Sequence, residues 1–224
     1  MVLINPNTST ATTAMMTAIA RRTLGLALPD GGGDGVPSVR GVTVRRGPRM
    51  LTDPAALRAA APEVLAEGLR ATAAGGCAAL VVGAFGDPGV EALRAAAGVP
   101  VVGIGEAALR EAAADGTPFG VATTTPLLAE AIDARVTALG LAGGYTGLRL
   151  TRGEPERLSA DPALLLDRLE DAVRACAERD GARAVVIGGG PLGEAAEELR
   201  IRCAVGIVAP IPAACRAIVR LLSG

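Results

Sequence analysis

Ala79-Leu80-Val81-Val82-Gly83-Ala84-Phe85-Gly86-Asp87-Pro88-Gly89 and Ala184-Val185-Val186-Ile187-Gly188-Gly189-Gly190-Pro191-Leu192-Gly193 are the two stretches that decide how this chain folds. Each is a short apolar run that opens into a glycine-rich turn and then a helical pattern. That succession is the carboxyl end of a strand in an α/β sheet, and ligands sit just outside such ends. The two stretches lie 105 residues apart, Ala84 over Gly189. The offset persists downstream, where Val101-Val102-Gly103-Ile104-Gly105 lies over Gly206-Ile207-Val208-Ala209-Pro210. Upstream, Leu3-Ile4-Asn5-Pro6-Asn7-Thr8-Ser9 resembles Gly120-Val121-Ala122-Thr123-Thr124-Thr125-Pro126, with a small gap. An internal repeat of this kind predicts two similar lobes about a pseudo-twofold axis, with a ligand between them.

Short apolar runs alternate with helical patterns along the whole chain, which reads as α/β with largely parallel strands. Strands are expected near 1–5, 39–45, 78–83, 100–103, 118–122, 146–150, 184–188 and 204–208. Helices are expected near 9–24, 54–74, 88–97, 105–114, 126–139, 161–180, 193–199 and 210–222. Pro29-Asp30-Gly31-Gly32-Gly33-Asp34-Gly35 reads as a flexible loop. It lacks the Gly-Lys-Ser/Thr ending of a phosphate loop and opens no helix.

At 224 residues the chain suits one large or two small domains and can bury a proper core. Half of it is hydrophobic, yet Trp is absent and there are only one Tyr and two Phe, so the core must be built from Ala, Val, Leu and Ile. The net charge is −1 without blocks of like charge, which argues against a nucleic-acid stripe or a basic membrane helix. All 22 basic residues are Arg, and His is zero. Lysine Schiff bases, Ser-His-Asp triads, Cys-His dyads and His-based zinc sites are thereby excluded within one chain. Proton transfer is left to Asp, Glu, Cys, Tyr145 or a bound water. Cys77, Cys176, Cys203 and Cys215 form no CxxC motif and read as core thiols. Cys77 lies seven residues before Ala84, roughly 23 Å along an extended strand. Met1 leads at once into a predicted strand and no apolar run approaches ~18 residues, so neither a leader nor a membrane span is expected. A cytoplasmic protein with reduced thiols follows.

The polar residues at the strand ends admit two readings each. Asn5-Pro6-Asn7-Thr8-Ser9 provides helix caps, but it carries more polar groups than a cap needs, and free N–H groups at a helix start bind anions. The Thr123-Thr124-Thr125-Pro126 copy favours ligand contact. Gly83-Ala84 and Gly188-Gly189-Gly190 permit tight turns and also leave N–H donors and room for a ligand. Asp87, before Pro88, suits an N-cap; Glu106 and Glu194 suit first helical turns. These three acids are also the nearest proton-transfer candidates. Arg45, Arg46 and Arg49 are either solvated or able to fork onto a carboxylate.

On these residues the chain resembles the Asp/Glu racemase superfamily, nearest its hydantoin and allantoin racemase branch. The resemblance rests on Leu3–Ser9, Phe85–Gly89, Pro100–Ala107, Thr123-Thr124 and Gly189–Leu192, in order over nearly the whole chain. It implies two pseudo-symmetric α/β lobes, residues 1–98 plus 205–224 and residues 99–204, with the strand near 100–103 joining the second lobe and the segment from about 204 returning to the first. It implies a small-molecule substrate, no cofactor and a cleft between the lobes. In that superfamily a cysteine from each lobe flanks the substrate Cα, one removing and one returning a proton. Here those positions are Ala84 and Gly189, which hold no proton. The expectation is therefore an isomerase or lyase that stabilises an enolate of a small carboxylate or cyclic imide or amide without two thiols. Asp87 or Glu194 would move protons, and Asn5, Thr8, Ala84, Phe85, Thr123, Thr124, Gly189 and Gly190 would hold the substrate. A non-catalytic ligand-binding relative is the alternative. An Ala/Leu-rich surface points to a homo-oligomer.

Overall fold

The computed structural model describes residues 1–27 and 38–223, so the Pro29–Gly35 loop lies outside the described residues. The first lobe carries strands β1 (Val2–Asn5), β2 (Arg40–Thr43), β3 (Leu80–Val82) and β4 (Val101–Gly103), with helices α1 (Thr10–Ala27), α2 (Pro54–Ala73) and α3 (Val90–Ala96). Helix α4 (Ile104–Ala112) leads into β5 (Phe119–Thr123), α5 (Ala129–Ala138) and β6 (Tyr145–Leu150). The chain then forms α6 (Pro155–Ser159), α7 (Pro162–Glu178), β7 (Ala184–Ile187), α8 (Gly193–Arg202), β8 (Gly206–Val208) and α9 (Pro210–Ser223). Short 3-10 turns at Pro126–Leu128 and Gly190–Leu192 precede α5 and α8.

Local chemistry sets several of these boundaries. Pro54 and Pro162 each stand at a helix start, where the missing N–H costs nothing. Asp53 accepts from the Ala56 amide at 2.8 Å and Asp161 from that of Leu164 at 3.1 Å, capping α2 and α7.

Two four-stranded parallel sheets result, with the same order: β2-β1-β3-β4 and β6-β5-β7-β8. Their ladders match, because Gly83 donates to Ile4 O and Gly188 to Ala122 O, both at 2.8 Å. Period-2 alternation distributes the strand residues between cores. Ile4, Val82 and Val101 face Val64 and Leu93 of α2 and α3. Val185, Ile187 and Ile207 face Leu169, Val173 and Leu199 of α7 and α8. The opposite faces, Leu3 and Val81 in one sheet and Val121 and Val186 in the other, share a central core with Met16, Ile19, Leu109 and Ile218. That continuous central layer binds the lobes together.

The expected strand exchange between lobes is corrected. β4 pairs with β3, and β8 pairs with β7, so both strands remain in the sheet that precedes them. Val101 is the reason on the first side: it is buried in the outer core of β1 and β3, and Leu80 donates to Pro100 O at 2.9 Å. The helices that follow make the crossing instead. α4 packs against β7 and α9, while α9 packs against α1 and β4. Arg216 of α9 forks onto Glu111 of α4 at 2.6 and 2.8 Å, closing the crossover.

Candidate active site

The two glycine turns meet. A methyl group on Gly190 would lie 2.7 Å from the Gly83 carbonyl oxygen, and one on Gly188 would lie 3.2 Å from Phe85 Cε1. At 190, where the obstacle is backbone, only glycine lets the two strand ends approach so closely; at 188 a methyl would be tight against side chains. Around the junction opens a cavity of about 770 Å³, lined from one lobe by Gly83, Ala84, Phe85 and Gly86 and from the other by Gly188, Gly189 and Gly190. The amides of Ala84, Phe85 and Gly190 donate to no protein acceptor among the described residues. Such amides are donors for an oxygen that gains charge during a reaction.

The polar strand ends divide by alternation. Asn5 is fully buried and its amide is consumed locally. Its Nδ2 faces Asn7 Oδ1, Ser9 O and Thr13 Oγ1 at 2.9–3.0 Å, and its Oδ1 accepts from the Asn7 amide at 3.1 Å. Two residues on, Asn7 lines the cavity. The second lobe repeats the device. Thr123 is fully buried and donates to Gly188 O at 2.7 Å, while Thr124 and Thr125 line the cavity. Asn5 and Thr123 therefore brace the turns, and their neighbours face the space. Thr8 is not on the lining; its amide holds the loop before α2 through Pro48 O at 3.0 Å.

Of the acids, Glu194 lines the cavity from the exposed first turn of α8, and Glu198 follows one turn later. Asp87 is not on the lining. Its Oδ1 accepts from the Gly105 amide at 2.9 Å and its Oδ2 from that of Glu106 at 2.7 Å. It thus caps α4, which starts at the end of the neighbouring strand β4, and not α3, whose N-cap is Gly89. Glu106 points away into an arginine cluster: burial would raise its pKa, but hydrogen bonds from Arg110 and Arg94 hold it below the usual range. Burial pushes the Asp87 carboxyl from 3.8 up to about 7, against the pull of the Gly105 and Glu106 amides and of Arg135. Between about 4 and 7 the folded chain keeps a proton that the unfolded chain has released. This group therefore lowers stability as pH rises through that window. Asp87→Asn is expected to flatten that part of the pH dependence of the urea midpoint.

Arg45 pairs with Glu67 at 3.4 Å, and Arg46 and Arg49 are exposed; none of the three lines the cavity. The cationic side chain that does is Arg135, on the same face of α5 as Ile132. Its spacing from Leu128 and Ile132 follows the helical period, so an arginine on an apolar stripe was the available sequence signal. Met50, Leu51, Leu165 and Leu166 add apolar walls from loops and helices far apart in sequence. None of the four thiols is on the lining. Burial pushes Cys176 up to about 11 and Cys215 up to about 12, which suppresses their thiolates.

Comparison with known proteins agrees with this architecture. The family model described as Asp/Glu/Hydantoin racemase matches residues 1–218. A hydantoin racemase of Paenarthrobacter aurescens is 24% identical over 215 residues, 96% of this chain and 87% of that protein. The solved allantoin racemase from Klebsiella pneumoniae is 27% identical, with a TM-score of 0.86 over 99% of this chain and 86% of that one. Arylmalonate decarboxylase, at 21% identity, shares the fold, with a TM-score of 0.64 over 100% of this chain and 92% of that one. Matching strand orders, a cleft at the paired glycine turns and a family match over nearly the full length lead to one assignment: the chain belongs to the Asp/Glu/hydantoin racemase family.

Proposed function

We propose that the chain is a racemase-type enzyme that forms an enolate of a cyclic imide or amide without thiol catalysis. The observation that carries this reading is the cavity at the junction of the two turns, lined by residues whose backbone amides have no protein acceptor among the described residues and by no cysteine. A ring carbonyl placed there meets the Ala84, Phe85 and Gly190 amides, with Asn7, Thr124 and Thr125 around it. Removing a proton from the adjacent carbon sends the C–H electron pair toward that carbonyl, and the amides hold the resulting oxyanion. Glu194, one of two carboxylates on the lining with Glu198, accepts the proton, directly or through water. Reprotonation from the opposite face by water inverts the centre, and the hydroxide left behind is neutralised by the proton that Glu194 releases to solvent.

The cyclic substrate is favoured over a dicarboxylate by charge. Arg135 on the lining already faces Asp87, Glu106 and Glu91 at 3.4, 3.3 and 3.7 Å. Glu194 and Glu198 add negative charge to the wall. A dianion would enter without a free guanidinium to fork onto. No helix among the described residues is long and apolar enough to cross a membrane. We extend the proposal to a cytoplasmic homo-oligomer, as composition suggests, that works without a cofactor, as the family resemblance implies.

The test is Cα proton exchange in deuterated water, followed by NMR, with allantoin and a 5-substituted hydantoin as probes and an arylmalonate as a CO2-release arm. Exchange or inversion of a ring substrate is the expected outcome. Saturable binding with no exchange on any probe would replace this reading with that of a non-catalytic ligand-binding relative. One observation favours that second reading: none of the turn residues on the lining, 83–86 and 188–191, carries a side chain able to hold a proton. Alkylating the thiols under native conditions is expected to leave exchange intact. Loss of exchange in a protein that stays folded would put a cysteine back in the mechanism.

A further inference from the structure

Two motifs singled out in the sequence, Phe85–Gly89 and Pro100–Ala107, are only partly accounted for by the cavity lining, which takes in Phe85 and Gly86. In the fold they are one structure. Asp87 adopts a left-handed backbone (φ 48°), uncommon for a residue with a side chain. That conformation turns its carboxylate onto the first amides of α4. Gly103 and Gly105 make the approach possible. A methyl on Gly103 would lie 2.2 Å from Asp87 Cγ, and one on Gly105 would lie 2.0 Å from the Phe85 carbonyl oxygen. The turn that presents the Ala84 and Phe85 amides is therefore seated on α4, the helix that crosses to the second sheet.

Arg135 adds the second lobe. It reaches from α5 to Asp87 Oδ2 at 3.4 Å and Glu106 Oε2 at 3.3 Å, while Glu91 lies at 3.7 Å from its other nitrogen. Arg94 and Arg110 hold Glu106 from the far side at 3.1 and 3.0 Å. The Arg135 side chain is about a quarter exposed, and its Nε is buried with no acceptor among the described residues. This guanidinium is thus placed to bridge the lobes, and its position is set by the acids it faces.

We propose that Arg135 and Asp87 are positioning residues, a strut between the lobes that fixes the Ala84–Gly86 turn so that its amides meet the developing oxyanion. The proposal rests on the reading of the cavity as the reaction site, but part of its test does not need turnover. Amide hydrogen exchange of residues 84–90, read at the hydrogen-bonded Asp87 and Val90 amides, is measured at pH 8 on the ligand-free chain, for the parent, Arg135→Met and Arg135→Lys. Arg135→Met is expected to speed exchange in that segment roughly tenfold, with the β1 and β5 cores unchanged, since a partly buried pair is lost without opening the core. Arg135→Lys, which keeps the charge, is expected to recover part of the protection. Unchanged protection of residues 84–90 in folded Arg135→Met would overturn the strut.

With a substrate from the exchange assay in hand, Arg135→Met is expected to lower kcat with little change in KM, as for an interaction made only in the transition state. A rise in KM alone would instead make Arg135 a direct substrate contact and reject the positioning role. If no probe turns over, the hydrogen-exchange arm still decides, so failure of the strut and failure of the proposed reaction are separable. Should Arg135→Met not fold, Arg135→Gln, which also removes the charge, takes its place: unchanged protection in folded Arg135→Gln would overturn the strut.

Discussion

Ala84→Cys/Gly189→Cys is expected to exchange and invert the Cα proton of a hydantoin at least ~10²-fold faster than the parent chain, the usual contribution of a positioned acid–base group. The two turns already face one cavity, so the change supplies protons where geometry exists. Gly189 has φ 167°, extended backbone that any residue adopts. A Cβ there would stand 3.0 Å from Leu192 Cγ and 3.1 Å from Leu192 Cδ1, the end of a flexible side chain that can turn aside. Ala84 is partly exposed and already has its Cβ. Each single variant is expected to exchange the proton with little inversion, because one thiol serves only one face of the planar intermediate. Deuterium uptake by NMR and optical rotation, measured together, separate these outcomes. Iodoacetamide is expected to abolish the gain. A double variant no faster than the parent would mean that the turns do not flank the reacting carbon.

Gly105→Ala is expected to destabilise the fold by about 3 kcal/mol or more, at the upper end of overpacking in a closed core. The new methyl would meet the Phe85 carbonyl at 2.0 Å and Asp87 Oδ2 at 3.0 Å. A backbone oxygen cannot rotate away as a side chain does, so either the turn or the start of α4 must shift. Shifting α4 breaks both amide bonds to Asp87. Gly25→Ala is the contrast: nothing lies within 4 Å of a methyl there, and the position is inside α1. That change is expected to stabilise by roughly 0.5–1 kcal/mol, the helix-propensity difference. Urea unfolding of the two variants beside the parent checks both signs. An unaltered midpoint for Gly105→Ala would show that the contact between the turn and α4 is slack.

The order of elements, the parallel sheets and the doubling of the lobe were legible in the residues, because short apolar runs and their spacing are local properties. The position of the cleft was legible too, since both glycine turns fall at strand ends. Which polar side chain faces it was less so. Asn5 and Thr123 stand at the ends of strands whose side chains alternate. A shift of one or two residues decides between bracing a turn and lining a cavity, and here Asn7, Thr124 and Thr125 line it. Asp87 looked like a local cap or an acid near the cleft. It is a cap for a helix that begins 17 residues later, a pairing that only chain crossing creates.

By itself the sequence determined which side chains are missing: histidine and lysine are absent, and alanine stands at 84 and glycine at 189, where the family resemblance implies thiols. It also determined two lobes of matching order, because the repeat is written in the chain. Tertiary structure alone decided which elements cross between them. β4 and β8 stay with their own sheets while α4 and α9 change sides, since strand pairing is satisfied by the nearest ladder and helices go where an apolar face can be covered. It alone brought Arg135 to Asp87, 48 residues apart, because a contact between lobes depends on how two surfaces close and not on any spacing along the chain.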